Sequence, residues 1–160
     1  MATDRELSNV LTDFARTLVT DFPIQGILDH LVRRIVDIMP ITGAGVTLIE
    51  EGSAPRYVAA SNAAALTFEQ LQTELDEGPC LAAFRSGEGV SVPDIQLEHR
   101  FPEFAPRADR MGLGAVFAFP LRQGSEQLGA LDLYRDESGE LDESTMVVAQ
   151  TLADVAAAYV

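Results

Sequence analysis

Asp132 is the polar residue whose position in the sequence most needs explaining. It stands between Leu131 and Leu133 in an apolar run, where an unpaired carboxylate costs several kcal/mol to bury. Such a group fixes an amine or hydroxyl of a bound molecule, faces a wet groove, or caps a loop backbone. Cys80 is the one cysteine, directly after Pro79 and so near the second position of a helix. A helix dipole there lowers a thiol pKa and favours the thiolate. Asp76 and Glu77 lie just upstream and oppose that shift, so the balance favours a buried, inert thiol over a redox sensor or a covalent attachment point. His30 is expected on the surface of a helix and His99 in a loop. With Cys80 they lack the spacing of a metal site, and axial haem ligation by His99 is the minor alternative. Phe84, Phe101 and Phe104 read first as core and second as the wall of a cofactor box. No Ser/His/Asp arrangement, phosphate-cradling glycine loop or zinc motif is present, so the expectation is no enzyme, no metal and no assignable cofactor.

Composition narrows the class. With 160 residues, 47% hydrophobic and 22% charged, the chain is long enough for one globular domain over 1–160 with a real core. Eleven basic side chains against 25 acidic ones give a net charge of −14. Nucleic-acid backbones demand a basic patch, and Arg33, Arg34, Arg107, Arg110 and Arg122 form none, so direct nucleic-acid binding is not expected. The longest apolar run, 111–121, falls far short of the ~20 residues of a membrane span. The start of the chain has neither the basic nor the apolar stretch of a secretory signal. The expectation is a cytoplasmic protein that does not engage membranes.

Periodicity supplies the elements that must position these residues. Leu7, Val10, Leu11, Phe14 and Leu18 recur at helical steps over about 5–20. A second stripe runs from Ile24 to Met39, between Pro23 and Pro40. Segments 42–50 and 56–61 read as a hairpin around a turn at 51–55. A short helix is expected over 67–75 with Thr67 as N-cap, then another over 80–85 opened by Gly78 and Pro79. A brief strand follows at 90–92, and the loop 98–106 leads to a short helix ending near Met111. Strands 114–121 and 127–135 flank a turn at 123–125. A final helix opens at 141–144 with the stripe Leu141, Val148, Leu152, Val155, Ala156 and Tyr159. It runs to Val160 without a glycine cap, as in a chain that continues or a helix whose end is buried in an interface. The order implies an α/β (α+β) fold: a central, mostly antiparallel sheet with helices on one face and irregular segments on the other.

This order resembles a GAF domain over roughly the whole chain. Leu75-Asp76-Glu77-Gly78-Pro79-Cys80-Leu81-Ala82-Ala83 is similar to the helix start of actinobacterial GAF proteins. Phe101-Pro102-Glu103-Phe104, followed by 114–121, resembles their loop-and-strand pair, and 128–134 their last strand. The resemblance implies a GAF-like sheet with the N- and C-terminal helices on one face, and a pocket on the other formed by short helices and loops. Its lining would come from Cys80, Phe84, Ile95, Phe101, Phe104, Val116, Asp132 and Tyr134. Alternation puts Val116 and Ala118 on one strand face, with Phe117 and Phe119 opposite. Likewise it puts Ala130, Asp132 and Tyr134 opposite Leu131 and Leu133.

The implied function is a sensor of an unknown small molecule that shifts its terminal helices by differential affinity. Many GAF proteins of this type precede an RNA-binding ANTAR module that frees transcripts from terminators, so the chain reads as a possible input module of such a regulator. One alternative is a dimerisation or protein-interaction module without ligand, with a homodimer expected through the first and last helices, where Val19, Met146 and Val147 lie beside the stripes. Another is a methionine sulfoxide reductase. That chemistry needs a second thiol, and an acid where Val116 stands. The Asn-Lys…Phe…Asp-Glu signature of cyclic-nucleotide binding is missing, and Leu81 after Cys80 departs from the bilin-attachment pattern.

Overall fold

The computed structural model describes residues 4–19, 24–50, 52 and 56–160, with side chains outside 13–19, 57 and 58. The short segment 20–22 expected to join the first two helices, most of the turn at 51–55, and the side chains of Phe14, Leu18 and Val19 lie outside the described set. In chain order the elements are α1 (Asp4–Val19), α2 (Ile24–Ile38), β1 (Gly43–Leu48), β2 (Arg56–Ala60), α3 (Ala63–Leu75) and α4 (Pro79–Ser86). They continue with β3 (Val90–Val92), a 3-10 turn (Ile95–Leu97), α5 (Phe104–Arg110), β4 (Ala115–Gln123), β5 (Glu126–Arg135) and α6 (Glu143–Ala157).

The five strands form one sheet in the order β2-β1-β5-β4-β3, every neighbouring pair antiparallel. β5 is the centre, hydrogen-bonded to β1 on one side and β4 on the other. Period-two alternation then divides its residues between two layers. Leu131 and Leu133, with Phe117, Phe119 and Leu121 of β4 and Val46 of β1, face α2 and α6. There Leu28, Leu31 and Ile35 of α2 meet Leu152, Ala153 and Ala156 of α6 in a wholly apolar cluster. Val116, Ala118, Ala130 and Tyr134 face the other way, under α3, α4, the 3-10 turn and α5. The mixed α/β architecture and the division of strand faces follow the sequence pattern.

Three local expectations are corrected. Helix α3 starts at Ala63, and its N-cap is Asn62, whose side chain accepts from the Ala65 amide at 2.9 Å. Thr67 lies inside the helix and donates its hydroxyl back to the Ala63 carbonyl. The run Ala63-Ala64-Ala65 carries no polar–apolar period, yet alanine is the best helix former. At the other end of the chain α6 stops at Ala157, capped at its start by Asp142 through the Thr145 amide at 2.7 Å. Tyr159 therefore falls beyond the helix and is exposed, covering no part of the sheet. His30 is half-buried, with Nε2 shut away from solvent, because α1 packs along α2.

Candidate functional site

Asp132 sits at the middle of the central strand, on the layer beneath α3 and α4. Its register partners are Gly45 on β1 and Ala118 on β4, so neither flanking strand crowds it. The absence of a side chain at Gly45 is filled from above. A Cβ built there would lie 2.2 Å from Glu69 Oε1, which means that the Glu69 side chain of α3 lies down over the glycine. Glu69 is 1% exposed and Asp132 0%. Two buried carboxyls thus come together from elements 63 positions apart in sequence (132 minus 69).

A relay of hydrogen bonds holds Glu69 in place. Thr47 of β1 donates its hydroxyl to Oε1 at 3.3 Å, and the Tyr134 hydroxyl donates to Oε2 at 2.5 Å. Gln72, one turn along α3, donates its amide to the Tyr134 oxygen at 2.9 Å and accepts from the Cys80 backbone N–H at 2.9 Å. Gly78 precedes this bond with φ of 146°, a value that favours glycine, and any Cβ there would meet Gln72 Oε1. The first amide of α4, that of Cys80, is thereby tied through Gln72 and Tyr134 to the carboxyl pair. Tyr134 also packs on Phe68, ring centres 5.3 Å apart.

Asp132 is placed differently. Neither of its carboxylate oxygens receives a hydrogen bond from a fixed donor among the described residues, and both are shut away from solvent. The groups beside it are the Glu69 carboxyl and the Cys80 thiol. Burial pushes the Asp132 carboxyl up to about 6. Burial, and then the Asp132 charge, push Glu69 well above the usual carboxylate range. The Cys80 thiol and Tyr134 hydroxyl are raised by burial first and by the two acids next. Cys80 is thus a protonated thiol, and the dipole effect is outweighed. The acids opposing ionisation are Glu69 and Asp132, not the two upstream. Asp76 and Glu77 point elsewhere: Asp76 pairs with Arg85 at 3.5 Å on the surface, and Glu77 accepts from the Glu103 and Phe104 amides at 2.9 and 2.8 Å.

Of the residues the sequence reading brought to the site, Cys80, Ile95, Phe101, Phe104, Val116 and Tyr134 are buried in one cluster on the Asp132 layer, and Phe84 lies at its rim. They pack together as a closed core around the acids. Open space lies to the side. A cleft of about 840 Å³ includes Phe84, Arg56, Arg85 and Gln127, and one of about 310 Å³ includes Ile95, Asp94, Asp109 and Asp136. Asp132 lines neither. Glu69, Gln72 and Thr47 are the members that sequence reasoning missed. Glu69 lies one turn from Ala65 and beside Phe68 on the face of α3 that turns inward, a placement its charge conceals in the sequence. Among the described residues no group of three or more His, Cys, Asp and Glu is placed to hold a metal ion. His99 is exposed in its loop. No helix of the described residues is long and apolar enough to cross a membrane.

An antiparallel sheet with a dry helical layer on one face, and a layer of short helices sealing polar groups on the other, defines the α/β class implied by the element order. The model of the GAF domain family matches residues 23–160, and the chain belongs to that family. GAF domains are in general signalling and ligand-binding modules. Similar solved structures include the GAF domain of a phosphoenolpyruvate-protein phosphotransferase from Coxiella burnetii, at 17% identity and TM-score 0.76, with 96% of this chain and 92% of that one covered. The phycocyanobilin-bound GAF domain of a cyanobacterial phytochrome is similar at 12% identity and TM-score 0.75, covering 96% and 92%. Free methionine-R-sulfoxide reductase from Neisseria meningitidis, solved with its substrate, is similar at 17% identity and TM-score 0.73, covering 99% and 91%. At such identities the likeness is one of fold. No curated protein matches the chain.

Proposed function

We propose that residues 1–160 form a single sensory GAF domain of a cytoplasmic signalling protein, which binds a small molecule over Asp132 and does no chemistry itself. The observation that carries this reading is Asp132: fully buried, at the centre of the sheet, with two oxygens lacking a fixed donor. A core that needed only stability would place an apolar residue there. The contact groups are Asp132, Tyr134 and Cys80 on the polar side, with Ile95, Phe101, Phe104 and Val116 as the apolar wall and Phe84 at the rim. The way in is beneath α4, an eight-residue helix bracketed by the positive-φ glycines Gly78 and Gly87. The resemblance to actinobacterial GAF proteins supports a role as the input module of a transcription antitermination regulator, with any nucleic-acid contact made outside this acidic domain.

Native mass spectrometry of the protein purified from its own or a related cytoplasm tests this. A discrete small-molecule adduct that disappears in Asp132→Asn supports the sensor, whereas an adduct retained in that variant rejects the site. A second reading is a homodimerisation module without ligand. It is favoured by Val147, 61% exposed on α6, and by exposed Ile24 at the start of α2, and an adduct-free dimer is its expected signature. A reductase is disfavoured by the lone, protonated Cys80 and the apolar Val116.

A further inference from the structure

We propose that Glu69 and Asp132 hold a single proton between them, and that the molecule taken by this site carries a cationic nitrogen which replaces that proton. The inference rests on the sensory reading above and specifies the chemistry of its ligand.

The groups facing the pair come from every element packed on it. Thr47 faces it from β1, Gln72 from α3, Cys80 from α4 and Tyr134 from β5, while β4 contributes only the methyl of Ala118. Among the described residues no basic group acts on either carboxyl. All eleven cationic side chains of the protein are arginines, the bulkiest cation to bring into so small a space. Two neighbouring carboxylates in a dry site cannot both ionise, because each charge raises the cost of the other. One proton between them leaves a single negative charge and serves both acids.

The fixed donors around the pair are already committed: Thr47 and Tyr134 both donate to Glu69. What the site lacks at Asp132 is a strong donor, since the facing Cys80 thiol is a weak one. A neutral hydroxyl would supply a hydrogen bond and leave the charge uncompensated in a dry core. An anion would add a third negative charge. A protonated amine or amidine supplies both the charge and the donors. As it binds, the shared proton leaves for solvent and the pair carries two negative charges against the ligand's positive one, so one proton is released per ligand. Binding therefore tightens as pH rises through the range in which the pair keeps its proton, by up to about tenfold per pH unit.

Infrared spectroscopy of the ligand-free protein at neutral pH reads the proton directly. A carboxylic-acid carbonyl band that shifts in deuterium oxide is expected, and it should vanish in Glu69→Gln and move in frequency in Asp132→Asn, where buried Glu69 keeps the proton to itself. These near-isosteric changes keep the fold testable by circular dichroism. The ligand class is read by thermal unfolding with three probes sharing one carbon skeleton: n-butylammonium, n-butanol and butyrate. n-Butylammonium alone is expected to raise the midpoint. It should do so more at about pH 7.5 than at about pH 5.5, either side of the Asp132 value of about 6, and the pH dependence should be weaker in Glu69→Gln, which keeps the Asp132 titration alone. A missing acid band overturns the proposal, as does a null with all three probes or an equal effect of n-butanol or butyrate. A native adduct lacking a basic nitrogen also overturns it while leaving the sensory reading intact. If instead the acid band and the n-butylammonium preference appear and the native protein carries no adduct, the charge chemistry stands and the sensory reading fails.

Discussion

The two faces of the sheet are built to different specifications. Beneath α2 and α6 the layer is apolar throughout, with Leu28, Leu31, Ile35, Phe117, Leu131 and Leu133 in one cluster with the small residues of α6. Beneath α3 and α4 the same strands carry Thr47, Asp132 and Tyr134 inward against Glu69 and Gln72. Residues adjacent on β5 thus belong to opposite regimes. Burial on the first face adds stability in proportion to apolar area. On the second face, burying acids costs stability, recovered only in part by the hydrogen bonds around Glu69. The apolar face is the foundation that lets the polar one exist.

The largest test of that contrast is Leu133→Ala. It removes a fully buried side chain from the dry face and is expected to cost about 2–5 kcal/mol in chemical denaturation, leaving the infrared signature of the acid pair in place wherever the variant folds. A loss below about 1 kcal/mol would mean that the dry layer does not dominate stability. Next comes Gly45→Ala. The new methyl collides with Glu69, and about 1–3 kcal/mol of destabilisation is expected. The collision should be relieved by combining it with Glu69→Ala, so a double-mutant cycle reads out a coupling that additive variants would lack.

The faces should also separate by pH. Asp132 is raised from 3.8 to about 6 in the folded protein. The sign follows from linkage: the folded state binds the proton more tightly than the unfolded chain, so this contribution is fully present below about pH 4 and is lost as pH rises through about 6. Asp132→Asn is expected to flatten the fall in melting temperature over that window, and Leu133→Ala to leave its slope unchanged. The smallest effect is expected from Asn62→Ala, which removes the cap of α3 at a cost of about 1 kcal/mol. A loss much larger than that would show α3 to be held by its cap more than by Glu69 and Gln72.

The dry face was largely legible in the sequence, because alternation along 115–121 and 127–135 and the helical stripe of α2 are strong periodic signals. Asp132 was legible for the opposite reason, as the interruption of an apolar run. Its partner was not. Glu69 lies in a short helix rich in Glu and Gln, where charge usually means solvent, and its burial depends on Gly45 leaving a vacancy on a strand 24 positions earlier (69 minus 45). The start of α3 escaped because three alanines carry no period. The closed packing around Asp132 escaped too, since residue types show which side chains share a face and not how tightly their layers meet.

The Glu77 carboxylate, which grips the first amides of α5, ties position 77 to positions 103 and 104. The chain between them, including α4 packed on the sheet and β3 paired with β4, is therefore closed at both ends as well as held along its length. Any outward travel of α4 is a rotation inside that closed segment, not the swing of a free flap, and its amplitude is limited by the slack left between Gly78 and β3. On the proposed route beneath α4, this tether would admit a molecule small enough to slip beneath one turn of helix and turn a bulky one away.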